Sequence, residues 1–282
     1  MLKSLLLKTC NNILMYKGNL MEFLSNILKN RRILLNLVKS DFKNRYLGNH
    51  LGIIWAFIQP LIMVSVYWFV FTFGFRNPPI SHVPFLLWLL AGMVPWFLIS
   101  DAIISSGSAI MSQSFLVKKI VFEVKLLPIV KIGSSLLANI AFWILMLIVC
   151  LCYGYYPQFI WVQLIYFMFC SLFLSLGFGL LISSIMPFMP DIAHIVSIFI
   201  QVLFWATPIF WNKSLLQGHL ALIYKLSPFA YIIDGFRDTL INNTTIFVHS
   251  NQMVYFWVFN LILFWFGNRT FNKLRPHFAD VL

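Results

Sequence analysis

The ionisable side chains of this 282-residue chain are few, and their positions exclude several kinds of chemistry. The acidic residues fall outside the long apolar runs or at the edges of those runs. Ion-coupled carriers usually keep a carboxylate inside the membrane. The sequence therefore offers no obvious carboxylate for coupling transport to protons or sodium ions. A membrane glycosyltransferase would need carboxylates that act together, and none are grouped in that way. The eight acids are Glu22, Asp41, Asp101, Glu123, Asp191, Asp234, Asp238 and Asp280.

The motifs of nucleotide hydrolysis and of metal catalysis are also missing from the sequence. No glycine is followed by lysine, which excludes a phosphate-cradling G-x-x-x-x-G-K-[ST] loop. There is no G-x-S-x-G or H-E-x-x-H motif, and the six histidines are scattered singly. We therefore expect no catalytic residues, no metal site and no cofactor in this chain, and any ATP must be hydrolysed by another subunit.

The composition indicates a membrane protein. Of the residues 61% are hydrophobic and only 10% are charged, with a mean hydropathy of +0.87, whereas about a quarter of the residues in a soluble domain are charged. The net charge of +12 could suggest nucleic-acid binding, but the basic residues lie at the ends of apolar blocks. Because that distribution is typical of membrane orientation signals, we expect no nucleic-acid partner.

Six apolar runs predict transmembrane helices. They lie at about 53–73, 84–104, 132–153, 159–186, 192–211 and 253–266. Of the 20 Lys and Arg residues, sixteen fall in one alternate set of connections and four in the other. The basic set faces the cytoplasm under the positive-inside rule. The predicted fold is therefore an all-α polytopic membrane protein with six transmembrane helices and both termini in the cytoplasm.

The segment 31–50 has the pattern of an amphipathic helix lying in the membrane interface. Apolar residues recur there at spacings of three and four, and the opposite side carries Lys39, Lys43 and Arg45. A solvated helix packed on a soluble partner is the alternative. Residues 1–30 show no clean period, and we interpret them as a cytoplasmic tail whose role is open.

Two further segments are unsuited to crossing the membrane. Residues 114–125 are too charged to enter lipid and too apolar for a free linker, which favours a short amphipathic helix on the cytoplasmic face. Residues 219–240, on the opposite face, contain two apolar halves around Ser227-Pro228. They could form two short helices that dip into the outer leaflet, or an ordinary external amphipathic loop.

Aromatic residues are in surplus, with 30 Phe, 10 Trp and 10 Tyr, and many lie within the predicted spans. Sugar rings have apolar faces that lie well on aromatic rings, so these side chains could line a pathway for sugars. Packing between helices or exposure to lipid is the alternative for any single ring.

Five motifs in order resemble the membrane subunits of ABC-2-type exporters of polysaccharides. The resemblance covers about residues 33–282, and residues 1–30 find no counterpart in it. The motifs are Leu51-Gly-Ile-Ile-Trp55 with Pro60, Leu89-Leu-Ala-Gly-Met-Val-Pro-Trp96, Ala206-Thr-Pro-Ile-Phe-Trp211, Leu226-Ser-Pro228 with Gly235-Phe-Arg237, and Leu274-Arg-Pro-His-Phe-Ala-Asp280.

The resemblance implies an assembly and a cargo. A homodimer of this chain would bind two copies of an ABC ATPase subunit, which would carry ATP and Mg²⁺, in a bacterial inner membrane. The cargo would be a lipid-linked polysaccharide, with O-antigen favoured over capsule or teichoic acid. A small hydrophobic drug or a lipid, carried by the same fold, is one alternative, and an ion-coupled carrier or membrane glycosyltransferase is another.

The resemblance also implies roles for residues in four parts of the predicted architecture. The gate helix at 31–50 would include Lys39, Lys43 and Arg45, and the coupling helix at 114–125 would contact the ATPase through Lys118, Lys119 and Glu123. The re-entrant helices at 219–240 would supply Asp234 and Arg237 for external gating or head-group contact. The six-helix domain at 51–267 would line the substrate channel with Tyr67, Trp68, Trp205, Phe210 and Trp211, and 268–282 would be a cytoplasmic tail.

Overall fold

A computed structural model describes residues 25, 27–46, 50–75, 83–117, 123–213 and 216–282, which form an all-helical structure. The α-helices in chain order are α1 Arg31–Tyr46, α2 Trp55–Phe69, α3 Phe85–Gly107, α4 Ala109–Ser112, α5 Ser114–Val117, α6 Leu126–Cys152, α7 Gln163–Ile185, α8 Ile192–Ala206, α9 His219–Lys225, α10 Pro228–Arg237, α11 Ser250–Leu274 and α12 Phe278–Val281. Short 3₁₀ or π turns flank several of these helices, including Gly52–Ile54, Val70–Gly74 and Asp238–Asn242.

Helix α3 lies at the centre of the fold. It packs against α6 and α7, and α10 lies against it as well. In its most apolar stretch 78% of residues are buried, compared with 17% for the segment Gly52–Gly74 that contains α2. Helix α11 packs on α7, and α1 lies along α6. The helices α2 and α8 are therefore peripheral to a core built from α3, α6 and α7.

Five helical segments among the described residues are long and apolar enough to cross a membrane. The predicted span at 192–211 is shorter in the structure, because α8 ends at Ala206 after 15 residues. Thr207 adopts an extended conformation with ψ 135°, as expected for a residue that precedes proline. A 15-residue helix is about 22 Å long, less than the hydrocarbon thickness of about 30 Å. The count of six transmembrane helices thus stays a prediction.

Helix α1 is tied to the core through ion pairs as well as apolar packing. Leu34 is buried against α6, and Lys131 Nζ lies 2.6 Å from Asp41 Oδ1. At the last turn of α1, Arg45 Nη1 lies 2.6 Å from Asp101 Oδ2 near the end of α3. Asp41, outside the predicted spans, and Asp101, at the edge of one, therefore both serve to dock α1.

Only part of the predicted coupling helix can be compared with the structure. Residues Ser114–Val117 are helical, and Glu123 precedes a turn that leads into α6. Lys118 and Lys119 lie outside the described residues. Helix α6 begins at Leu126, before the predicted start of the third span at 132.

Two short helices occupy the segment predicted to be re-entrant. Every residue of α10 is buried, whereas most of α9 is exposed. Pro228 occupies the first turn of α10, where its missing N–H leaves no acceptor unpaired. Whether this pair enters the membrane stays a prediction.

The predicted C-terminal tail is largely helical. Helix α11 continues to Leu274, beyond the predicted end of the last span at 266. Phe278 in α12 is 1% exposed and belongs to an apolar cluster with Ile110, Val124 and Leu127. The end of the chain therefore packs back beside the predicted coupling region.

Candidate functional site

A buried arginine joins three distant parts of the chain. Arg237, the last residue of α10, is 6% exposed. Its Nη1 donates to the carbonyl oxygen of Pro208 at 2.6 Å, and its Nη2 donates to that of Ile209 at 3.0 Å. The guanidinium carbon lies 3.6 Å from the centroid of the Trp88 ring in α3. We call Trp88, Gly92, Pro208, Ile209, Lys213, Asp234 and Arg237 the Arg237 cluster.

Local sequence explains why the backbone can accept these bonds. Pro208 forces Thr207 out of the helical conformation, so α8 stops and the following carbonyl groups leave the helical hydrogen-bond ladder. On the opposite side, a Cβ atom built at Gly92 would lie 2.8 Å from Arg237 Nη2. Glycine at position 92 therefore makes room for the guanidinium. Three of the motifs quoted above meet at this one side chain.

The cluster contains one carboxylate, Asp234, and two cations, Lys213 and Arg237. Lys213 Nζ lies 2.9 Å from Asp234 Oδ2, one turn before Arg237 on α10. Burial lowers the pKa of Arg237 to about 10, and the nearby Asp234 carboxylate opposes that shift. Since this pKa is well above 7, the guanidinium keeps its charge at neutral pH. Hydrogen bonds from a charged donor contribute about 1.5–3 kcal/mol each, so the cluster is a strong local tie.

A small cavity of about 110 Å³ adjoins Asp234, Arg237 and Asn212. A water molecule takes about 30 Å³, so the space holds a few waters and is too small for a sugar chain. Both terminal nitrogens of Arg237 already have acceptors. The guanidinium is therefore bound to backbone carbonyl groups, and the gating and head-group roles of Asp234 and Arg237 stay predictions.

Three of the five predicted channel rings, Tyr67, Trp205 and Phe210, form one aromatic cluster with unequal exposure. Phe210 is 1% exposed and stacks on Phe71 with ring centroids 4.8 Å apart. Tyr67 and Trp205 lie 5.0 and 5.2 Å from the same ring. Phe210 therefore supports its neighbours in this conformation, and it does not itself reach the surface.

The other predicted rings are more accessible. Trp205 is 51% exposed on the outer side of α8, and Tyr67, Trp68 and Trp211 are partly exposed. The indole nitrogen of Trp211 donates to the backbone carbonyl oxygen of Trp205 at 3.2 Å, which ties the Trp211 side chain to the end of α8. These rings could present apolar faces to a sugar chain.

A much larger cavity lies at the other end of α3. It has a volume of about 520 Å³ and is open to the outside. Its wall includes Arg45, whose Nη2 donates to Ser105 Oγ at 3.1 Å while Nη1 pairs with Asp101. We call this space the Arg45 cavity. Its lining residues are Arg45, Tyr46, Trp55, Ala56, Gln59, Pro60, Met63, Phe97, Ser100, Asp101, Ile104, Ser135, Ala138, Asn139 and Phe142.

The predicted gate residues divide between surface and core contacts. Lys39 and Lys43 are exposed on α1, where they could meet lipid phosphates. Arg45 instead turns toward α3 and α6 and is only partly exposed. The lining of the cavity mixes aromatic, amide and hydroxyl groups, as sites for polar organic ligands do.

Residues 33–241 of this chain match the family described as ABC-2 type transporter. The chain belongs to this family. The resemblance found in the motifs is thereby confirmed, and the chain is a multi-pass membrane protein and a transport subunit rather than an enzyme.

Curated relatives of this ABC-2 transporter cover nearly all of it. One from Klebsiella pneumoniae, named O-antigen export system permease protein RfbA, is 26% identical over 89% of this chain and 95% of its own length. A protein of the same name from Myxococcus xanthus is also 26% identical, over the same shares of the two chains.

Sequence reasoning missed two functional candidates in this ABC-2 transporter. The sequence marks Asp101 only as an acid at the edge of a span, yet its carboxylate holds Arg45 at the cavity wall. Gly92 belongs to one of the five motifs, but its steric role depends on Arg237, which is far away in sequence. An acid at the end of a span next to a basic amphipathic helix was the available signal for Asp101, and no local signal existed for Gly92.

Proposed function

We propose that this chain is the permease subunit of an ATP-driven exporter that moves lipid-linked polysaccharide, with O-antigen the favoured cargo, across a bacterial inner membrane. The observation that carries the proposal is the match to O-antigen export permeases over 89% of this chain and 95% of theirs. The exposed aromatic rings on α8 support a polymer of sugars, because such rings can slide along the apolar faces of successive sugars.

Energy would come from an ABC ATPase, which membership of the ABC-2 family implies as a partner. Two ATPase copies would bind ATP and Mg²⁺ and dock near residues 114–125, with Lys118, Lys119 and Glu123 as the contacts. Both termini of the permease would lie on the same cytoplasmic side, in agreement with the excess of Lys and Arg there.

The exposed apolar faces of α2 and α8 support a homodimer whose two copies enclose the path. On α2 these include Leu61, Val66 and Phe69, and on α8 they include Ile198 and Val202. Helix α8 would complete the set of six transmembrane helices, its short length being made up by the buried turn that follows it. The accessible rings Tyr67, Trp68, Trp205 and Trp211 would then face the polymer, with Phe210 behind them.

The Arg45 cavity would admit the polar part of the lipid-linked chain. It lies beside α1, which would be the cytoplasmic gate helix, and its lining offers hydrogen-bonding groups next to aromatic rings. At the opposite end, α9 and α10 would form re-entrant helices beside the external mouth. The cavity and the Arg237 cluster thus lie at the two predicted ends of one path.

A deletion strain tests the proposal. Cells without this chain should accumulate lipid-linked polysaccharide internally and lose it from the surface, as measured by immunoblotting of surface and internal fractions. Normal surface polysaccharide would reject the assigned cargo. The purified chain should hydrolyse no ATP unless its ATPase partner is added, and turnover by the chain alone would reject the subunit assignment.

Single tryptophan variants test the path. Trp205→Ala should slow export more than it lowers the amount of protein, because the ring would contact the polymer. Trp265 is a suitable control, since it is 38% exposed on α11, away from α2 and α8. If Trp265→Ala reduces export equally, the rings on α8 have no special role.

A further inference from the structure

The last turn of α8 and the segment after it anchor an otherwise loosely packed helix. Within α8 only Ile200 and Phe204 are buried. By contrast, Thr207, Ile209 and Phe210 are exposed by 4%, 0% and 1%. The position of α8 in the protein is therefore set mainly at its Ala206 end.

Arg237 is the polar link at that anchored end. It donates to two successive carbonyl groups, those of Pro208 and Ile209, so it constrains the direction of the backbone as well as its distance. The pair Lys213–Asp234 joins the same two segments at 2.9 Å, but the lysine side chain is 48% exposed. Water screens that second link far more than the first.

Helix α3 restricts where the guanidinium can lie. The Trp88 ring covers one of its faces at 3.6 Å, and Gly92 leaves space for Nη2 that a single methyl group would fill. A planar guanidinium meets all of these requirements at once, whereas the ammonium of lysine is a point charge that cannot.

We propose that Arg237 is a positioning residue that joins the anchored end of α8 to α10, so that the two elements change position together during transport. The motion itself rests on the proposed exporter function. The joint between α8 and α10 is a property of the permease whatever its cargo.

Hydrogen exchange of the permease–ATPase complex in lipid nanodiscs tests the joint. Arg237→Met should speed exchange about tenfold or more in both 203–213 and 228–237, since charged hydrogen bonds are lost there. Exchange in α6 should stay as in the wild type. Gly92→Ala, which displaces the guanidinium from the other side, should loosen the same two segments.

Two further variants make the result interpretable. Arg269→Met removes an exposed arginine that lies 5.6 Å from the Trp265 ring on α11, and it should leave both segments unchanged. Arg237→Lys keeps the charge and should give intermediate exchange, even if the methionine variant fails to fold. Loosening of one segment without the other, or of all helices alike, would overturn the proposal.

A transport measurement tests the consequence of the joint. In reconstituted complexes, Arg237→Lys should lower polymer export about tenfold more than it lowers ATP turnover, a coupling effect of ordinary size. An equal loss of the two activities would overturn the proposal. A wild-type complex that exports no polysaccharide would reject the proposed cargo instead, and the exchange result would still stand.

Discussion

Two arginines bind the two ends of α3 to peripheral helices in different ways. Arg237 is buried, donates to backbone carbonyls and lies on the Trp88 ring. Arg45 pairs with Asp101, whose side chain is 41% exposed, at the wall of an open cavity. The first contact excludes solvent, and the second can exchange its partners with water or a ligand. The contrast predicts a fixed joint at one end of the molecule and a remodelled contact at the other.

The same contrast extends to the helices that carry the two arginines. Helix α10 is buried along its whole length, whereas α1 has a single buried residue, Leu34. A helix that is mostly exposed can detach at lower cost than one buried on all sides, which can move only with its neighbours. A gate is therefore more easily built from α1, and a mechanical link from α10.

The contrast between a fixed joint at Arg237 and a remodelled contact at Arg45 would be wrong if the two arginines contributed equally to stability. Arg237→Met should cost about 3–5 kcal/mol, because it removes one side of a buried polar cluster. Arg45→Met should cost about 1 kcal/mol or less, since Asp101 remains hydrated. Thermal unfolding of the two purified variants in the same detergent measures the difference. Equal shifts in Tm would show that the Arg45 contact is shielded from solvent as well as the Arg237 cluster is.

Some features at the two ends of α3 can be predicted from local sequence signals, and others cannot. The long helices follow from apolar runs, and the amphipathic pattern of 31–50 predicts α1 correctly as a helix, because these signals are local. The contact of Arg45 with Asp101 and that of Arg237 with Pro208 depend on how helices pack. Pro208 was visible in the sequence, yet the predicted span ran past it to 211, although the residue before a proline is rarely helical. The aromatic surplus was equally visible, but which rings are exposed depends on neighbours such as Phe71.

The chain end offers the next test, because it packs beside the region predicted to meet the ATPase. Phe278→Ala should lose about 1.5–3 kcal/mol of local stability by exposing the apolar cluster with Val124 and Leu127. The expected result is weaker ATPase association with an intact membrane domain, measured by co-purification. Val281, which is 47% exposed, provides the control Val281→Ala. Normal ATPase association of the Phe278→Ala variant would show that the C-terminal segment has no part in binding the ATPase.

A third test asks how tightly the buried end is packed around Gly235. A Cβ atom there would overlap the Phe167 ring, so Gly235→Ala must displace α10 or the ring. Overpacking of this kind costs about 1–3 kcal/mol, measurable as a lower Tm. Gly74→Ala is a matched control, because nothing lies within 4 Å of its added Cβ. If both variants melt like the wild type, α10 is looser than its burial indicates.

The smallest expected effect concerns the middle of α1 and sharpens the idea of a detachable gate. Asp41→Asn removes the charge that pairs with Lys131 at 2.6 Å, where the two side chains are 10% and 16% exposed. The amide can still accept a hydrogen bond, so the loss should be about 1 kcal/mol and confined to α1. Faster hydrogen exchange in 31–46 with unchanged exchange in 228–237 is the expected result. Because a gate that opens more readily should also leak, ATP turnover of the complex without substrate should rise. Slower exchange in 31–46 would mean that this ion pair strains α1 and does not hold it, and the description of α1 as the loosely held end would then be wrong.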